Sequence, residues 1–344
     1  MDQRKFFKPI EKSIKYIPVF CSCVFILLLI VYLIPSVGVL SSTNNINYSG
    51  IYWMDYDTSS LTSNEENNKI KYGFELFENT ADHIGPKNKL GKKPSSGNNL
   101  SCTNCHLGAG TKPFSAPLIG ITNRFPQFRG RENKMGTIED RINGCMERSM
   151  NGVSLDNKSD EMMAFVSYLE WLSRYSNPDG EIKGQGFVSI NIPNREVNLE
   201  NGKIVYKKHC TLCHGDDGRG TKKLNSNGYE YPPLWGEDSY NHGAGMTRVI
   251  TAAKFIKANM PFGINYYEPT LTDEECYDVA GYINQKYRPL KRNPDLDFPE
   301  IYRKPVSTPY GPYADDFSIK QHQLGPFQPI IEYYKNKYEI VKTK

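Results

Sequence analysis

The chain has 344 residues, of which 38% are hydrophobic and 23% charged, and a formal net charge of +4. This describes an ordinary globular protein of about two domains, and so small a charge argues against nucleic acid as a partner. Of the eight cysteines, four fall in two motifs described below and two in the N-terminal segment, so only Cys145 and Cys276 remain, too few for a disulfide scaffold.

Residues 1–16 carry Arg4, Lys5, Lys8, Lys12 and Lys15, and Ile17 to Leu40 contain no charged residue at all. A basic flank before an apolar run of this length predicts a cytoplasmic N-terminus and a membrane segment at 17–40. Ser36-Val37-Gly38 leaves open the alternative of a cleaved export signal, with the rest secreted. Either way the remainder is expected outside the cytoplasm, in the periplasm. Residues 41–65, rich in Ser, Asn and Thr, read as a spacer.

Two similar modules follow. In the first, Lys69–Asn79 has helical apolar spacing and precedes Cys102-Thr103-Asn104-Cys105-His106; Asp160–Arg174 closes it as an amphipathic helix with an acidic start. In the second, Leu199–His209 runs straight into Cys210-Thr211-Leu212-Cys213-His214, and Thr272–Lys286 closes it. Gly73 and Gly202 interrupt the opening helices, and a glycine there lets another helix approach closely at a helix penalty of about 1 kcal/mol. Cys-x-x-Cys-His attaches haem c, the two thiols bonding the porphyrin and the histidine binding iron. The order of helix, haem motif, ligand loop and helix resembles a class I cytochrome c domain. The expected fold is mainly α, with two such domains in tandem at 66–175 and 197–288, a linker at 176–196 and an irregular extension at 289–344 packing on both. Two covalently bound haems c are expected.

His106 and His214 each supply one axial ligand; the second must come from downstream. Met260, before Pro261 and 46 residues after His214, suits the second haem, and its soft thioether raises the reduction potential. Met246 competes, but lies in a helix-like run. In the first module, spacing points to Met150, whereas chemistry points to Cys145, whose arginine neighbours favour thiolate. The residues alone leave these two open.

The run Asn123-Arg124-Phe125-Pro126-Gln127-Phe128-Arg129-Gly130-Arg131, followed by Ile138-Glu139-Asp140-Arg141-Ile142-Asn143-Gly144-Cys145, resembles the thiosulfate dehydrogenase / tetrathionate reductase family of dihaem c-type cytochromes. The resemblance implies His106/Cys145 ligation at the first haem and His214/Met260 at the second. It also implies that Arg131, Arg141 and Ser149 surround a substrate site at the first haem. Some family members exchange a lysine for the methionine on reduction; Asn259 stands at that position here, so that exchange is not available.

The implied activity is coupling of two thiosulfate to tetrathionate with transfer of two electrons, the reverse reduction, or both. Arg131 and Arg141 would hold the mutually repelling anions through forked, permanently charged donors. Two or three of Arg124, Arg129, Arg131, Lys134, Arg141 and Arg148 are expected to line the site, with Ser149 adding a hydroxyl. Cys145 is expected to form a transient sulfur–sulfur adduct with substrate, and the second haem to pass electrons to a small redox carrier, another cytochrome c or a quinol-linked partner. A competing reading is a membrane-tethered dihaem carrier with no substrate of its own. It needs both haem motifs but not the arginine-rich block around Cys145. A peroxidase reading lacks identifiable acid–base machinery.

Overall fold

Asn64 accepts a hydrogen bond from the Asn67 N–H at 2.8 Å and is followed by Glu65 and Glu66, so the first long helix, α1, starts there and runs Glu65–Glu78. It begins four residues before the apolar periodicity does, because its first turn is polar. The computed structural model describes residues 56–344. The basic N-terminus, the apolar segment at 17–40 and most of the spacer lie outside the described residues. Among the described residues, no helix is long and apolar enough to cross a membrane.

Helix α2 (Thr80–Ile84) follows α1, and α3 (Ile138–Arg148) begins at a reciprocal cap between Thr137 and Asp140. Ser159 caps α4 (Asp160–Ser173). The second module repeats the plan with α5 (Leu199–His209), the short α6 (Thr211–His214), α7 (Val249–Asn259) and α8 (Asp273–Asn284). Thr272 and Glu275 cap α8 reciprocally, each side chain accepting from the other's backbone N–H at 3.1 and 2.8 Å.

In each module the opening helix packs on the closing one: α1 on α4, and α5 on α8, which also meets α7. The two helix glycines sit at the contacts. A Cβ on Gly73 would lie 2.1 Å from the Ala164 carbonyl oxygen and 2.7 Å from Tyr168 Cβ; one on Gly202 would lie 2.2 Å from the Asp278 oxygen and 2.8 Å from Tyr282 Cβ. Only glycine permits either approach. Around these crossings lie two apolar cores, one including Ile70, Leu76, Phe77, Phe165, Tyr168 and Trp171, the other Val205, Tyr206, Ile250, Tyr277 and Ile283. Each such side chain contributes about 1.5–3 kcal/mol by burial.

Among the described residues, strand structure is confined to two antiparallel hairpins, β1 (Gln127–Arg129) with β2 (Lys134–Gly136), and β3 (Thr221–Lys222) with β4 (Tyr229–Tyr231). The modules interlock. Tyr229 of the second joins the first core, and Asn98, fully buried, donates to the carbonyls of Ser149 and Ser239 at 2.9 and 3.1 Å. Asp238 accepts from the Asn99 backbone at 2.9 Å, and Asn241 donates to the Glu147 carbonyl at 2.8 Å.

The stretch after Pro289 differs from the irregular belt expected. It contains α9 (Ile319–Leu324) and α10 (Gln328–Tyr338), which bury Leu324, Phe327, Ile330 and Tyr334 in the second core. Its aromatic and proline content hid the helical period. The same stretch touches the first module, where the Phe298 N–H donates to the Arg131 carbonyl at 2.7 Å.

Candidate functional site

The first haem motif starts as a single helical turn, Cys102–Asn104, fixed by Ser101 and Asn104 capping each other. His106 Nδ1 lies 2.7 Å from the Ala116 carbonyl oxygen. A carbonyl only accepts, so the proton sits on Nδ1 and the Nε2 lone pair is left for a metal. The second motif solves the same problem alike, with His214 Nδ1 2.8 Å from the Pro232 carbonyl oxygen. His214 is buried, and burial lowers its pKa, further favouring the neutral ligand form. Tyr168 donates its hydroxyl to the Ala109 carbonyl at 2.7 Å, tying the closing helix to the loop beyond His106. Tyr206 does the equivalent in the second module, donating to the Gly215 carbonyl at 2.7 Å.

Cys145 projects from α3 into a cavity of about 450 Å³ that His106 and Cys105 also line. Arg141, one turn earlier, donates from Nη1 to Cys145 Sγ at 2.7 Å. Burial raises the Cys145 thiol, but Arg141, then His106 and Arg148, outweigh it and hold it at about 5. Cys102 and Cys105, buried without such neighbours, are pushed up to about 12. Met150, the spacing competitor, is packed in the first core and does not line the cavity. It is Cys145 that shares a space with His106.

Five arginines and two lysines line this cavity. Four of the six cations named from sequence are among them, Arg129, Arg131, Arg141 and Arg148, which is more than the two or three expected. Lys134 is instead exposed and paired with Asp140 at 3.3 Å, and Arg124 lies outside the cavity. The four are not equivalent. Arg131 is committed to Asp297 at 2.7 Å and to the Gly243 carbonyl at 3.0 Å; Arg129 and Arg148 share Glu132 at 3.0 and 3.5 Å. Ser149 ends α3 and lines the cavity, and its hydroxyl has no hydrogen-bond partner among the described residues.

Sequence reasoning missed the part of the lining formed by Met246, Arg248, Thr251, Lys254 and Phe255 of the second module and by Lys344. These residues lie far from Cys145 in the chain, and only folding brings them together. One local signal existed. Arg248 occupies the N-cap of α7, a position that favours Ser, Thr, Asp or Asn and where the helix dipole disfavours a cation.

The second site is built from Cys210, Cys213 and His214, with Met260 at the C-cap of α7. Met260 is half-buried against the second core, whereas Met246 packs against both cores and lines the first cavity. The His214 ring neighbours Tyr231 at 6.5 Å between centroids, and Tyr231 neighbours Phe262 at 5.9 Å, so Tyr231 links the histidine to the Met260-Pro261-Phe262 loop. None of the haem-motif cysteines is in a disulfide. Paired free thiols, histidines with open Nε2 atoms and a second soft donor in each module fit two covalently attached haems c, which Cys102, Cys105 and His106 and Cys210, Cys213 and His214 could hold.

The two sites are joined directly. Asn259, fully buried beside Met260, donates from Nδ2 to the Phe114 carbonyl at 3.1 Å, on the loop that also carries Ala116. The Phe114 and Tyr266 rings meet at 4.5 Å between centroids.

The family described as SoxA/TsdA, cytochrome c domain, matches residues 88–177, and the cytochrome c family matches 199–286. The chain is 39% identical over 244 residues to the thiosulfate dehydrogenase of Psychrobacter arcticus, covering 71% of this chain and 70% of that protein. It is 40% identical over 206 residues to that of Allochromatium vinosum, covering 58% and 74%. Among solved structures it is similar to the thiosulfate dehydrogenase (TsdBA) of Marichromatium purpuratum in its "as isolated" form, with a TM-score of 0.62 and 32% identity. That match covers 69% of this chain and spans half the length of the other.

Proposed function

We propose, for a chain that belongs to the thiosulfate dehydrogenase family of dihaem c-type cytochromes, that it joins two thiosulfate ions into tetrathionate with release of two electrons, or runs the reverse reduction, at the cavity around Cys145. The observation that carries this reading is the thiolate-favouring Cys145, held by Arg141 inside a cation-lined cavity that it shares with His106. When bound, the two haems supply a pair of one-electron acceptors, the number that the coupling demands. His106 and Cys145 would hold the first, and His214 and Met260 the second.

The chain's own groups do the rest. Arg141 and its neighbours draw in a small dianion and offset its repulsion from a second one. Cys145 Sγ bonds to the outer sulfur of one thiosulfate as two electrons are withdrawn. The outer sulfur of a second thiosulfate then attacks that sulfane sulfur; the new central S–S bond of tetrathionate forms, the Sγ–S bond breaks, and Cys145 leaves as thiolate. Arg131, neutralised by Asp297, holds the wall together as much as it attracts substrate. Ser149 offers its free hydroxyl to a sulfonate oxygen.

A carrier without substrate chemistry has haem propionates to engage cations, but no need of a thiolate-favouring cysteine bonded to an arginine beside His106, so the enzymatic reading is preferred. The boundaries assigned to the two haem domains, the membrane segment at 17–40 that would tether the enzyme at the periplasmic face, and a small redox carrier as partner belong to the same proposal. Adding thiosulfate, then tetrathionate, to the purified dihaem protein and following the Soret band tests it. A substrate-driven redox change is expected in wild type, and Cys145→Ala with both haems attached should lose turnover; near-wild-type turnover in that variant would exclude the role of Cys145.

A further inference from the structure

Of the guanidinium groups lining the cavity, Arg129, Arg131 and Arg148 each have a carboxylate partner. Arg141 has only Cys145, and Arg248 has no hydrogen bond or ion pair from its side chain to any described residue. These two guanidiniums, neither with a carboxylate partner, come from different modules. One is bonded to the reacting sulfur, and the other lines the same cavity from the second module, where burial and the nearby Arg131 push it down to about 9.

Beside Arg248 on the same face of α7 is Thr251, which lines the cavity, is 6% exposed, and whose hydroxyl is buried with no partner. An unmatched buried hydroxyl and a half-buried cation without a partner are both unfavourable in a folded protein unless something else meets them. Lys254 adds a third donor one turn further on, part-engaged with the Thr343 carbonyl at 3.0 Å. Tetrathionate carries one sulfonate at each end of a chain of four sulfurs. Two guanidiniums without a carboxylate partner, from two modules but lining one cavity, with the reactive thiol bonded to one of them, match that symmetry.

We infer that Arg248 and Thr251 form a second sulfonate subsite, supplied by the second haem domain, which holds the far end of tetrathionate and the incoming second thiosulfate. This rests on the function proposed above. In the forward direction the subsite acts after the Cys145 adduct exists: it aims the outer sulfur of the second thiosulfate at the sulfane sulfur, and the Sγ–S bond breaks with Cys145 leaving as thiolate. No electrons move in that step; the two withdrawn earlier have gone to the haems and on to an added oxidant such as ferricyanide.

The test uses the full-length dihaem protein with Arg248→Gln, Arg248→Lys and Thr251→Val. Arg248→Gln is expected to raise KM for tetrathionate and thiosulfate about tenfold or more, with Arg248→Lys intermediate because the charge survives without the fork. With thiosulfate and ferricyanide, mass spectrometry should find one thiosulfate unit retained on the Cys145 peptide of Arg248→Gln. The adduct forms there but is released slowly. The potential and Soret spectrum of the first haem should match wild type.

Unchanged KM with no retained adduct would overturn the inference. So would a shifted potential of the first haem at unchanged KM, because the guanidinium would then be serving a haem propionate. If Arg248→Gln fails to acquire its haems, Thr251→Val decides, a several-fold rise in KM supporting the subsite and an unchanged value refuting it. A wild-type protein with no turnover in either direction would remove the functional reading itself. Wild-type turnover with an indifferent Arg248 would remove the subsite alone.

Discussion

Replacing Gly73 with alanine adds one carbon where α1 crosses α4, and the consequence can be followed outward. The new Cβ would stand 2.1 Å from the Ala164 carbonyl oxygen, a backbone atom in the middle of a helix. An ordinary contact of this kind is roughly 3.4 Å, so the helices must separate by about 1 Å or tilt. Separation loosens the packing of Ile70 and Phe77 against Phe165 and Tyr168. Overpacking at such a site costs about 1–3 kcal/mol, and the gain in helix propensity returns about 1 kcal/mol. The expected net is a loss of up to about 2 kcal/mol. The displacement should also reach the site, because Tyr168 is bonded to Ala109 and Phe77 lies 6.2 Å from the His106 ring between centroids. Guanidinium denaturation followed by far-UV circular dichroism and by the Soret band measures both effects. A midpoint above wild type at unchanged slope would refute the steric argument, and leave Gly73 as a mere tolerated residue.

Three further outcomes are expected. Burial raises the Asp238 carboxyl, but hydrogen bonds from Tyr229 and Asn99 and the charge of Lys222 more than offset this and hold it below its ordinary 3.8. Its stabilisation is therefore complete above that value and disappears as pH falls through the lower folded-state value. Asp238→Asn should flatten the acid limb of a stability–pH curve, and an unaltered limb would contradict this. Asn259→Leu removes the donor to Phe114 and should cost about 1–3 kcal/mol while slowing electron passage between the haems in stopped-flow reduction; equal rates would show that the junction is not part of the route. Cys145→Met exchanges an anionic donor for a neutral thioether and should raise the potential of the first haem, a change that spectroelectrochemistry detects and whose absence would mean Cys145 is not bound to that iron.

The helices that carry the haems were legible because each is amphipathic and announced by local chemistry: Leu199–His209 is bounded as its apolar spacing suggests, and the acidic starts of α4 and α8 are where the caps form. The two glycines were legible as close-approach points for the same reason. Cys145 stood out through its arginine neighbours Arg141 and Arg148, both of which line the cavity with it and one of which touches its sulfur. What could not be read was the second module's part of the lining. Arg248, Thr251 and Lys254 belong to a helix whose sequence suggests a buried element of the second domain, and their sharing a cavity with Cys145 depends on how the modules dock. Docking is set by buried polar pairs such as Asn98 with Ser239 and Asn241 with Glu147, which have no periodicity. In α9 and α10 the signal was diluted by short length and aromatic content rather than absent.

The dispersal of the cavity lining from Cys105 to Lys344 bears on how such a protein can change over generations. A tandem of two small haem modules invites recombination at the linker, and each half would still carry its own Cys-x-x-Cys-His motif. A crossover there would nevertheless separate Cys145 from the lining that the second module supplies and Asn98 from Ser239. The descendants would inherit two electron carriers and no shared chamber. Lining residues from the two modules must therefore be passed on together, so the lineage of this site is the lineage of the whole chain rather than of either module.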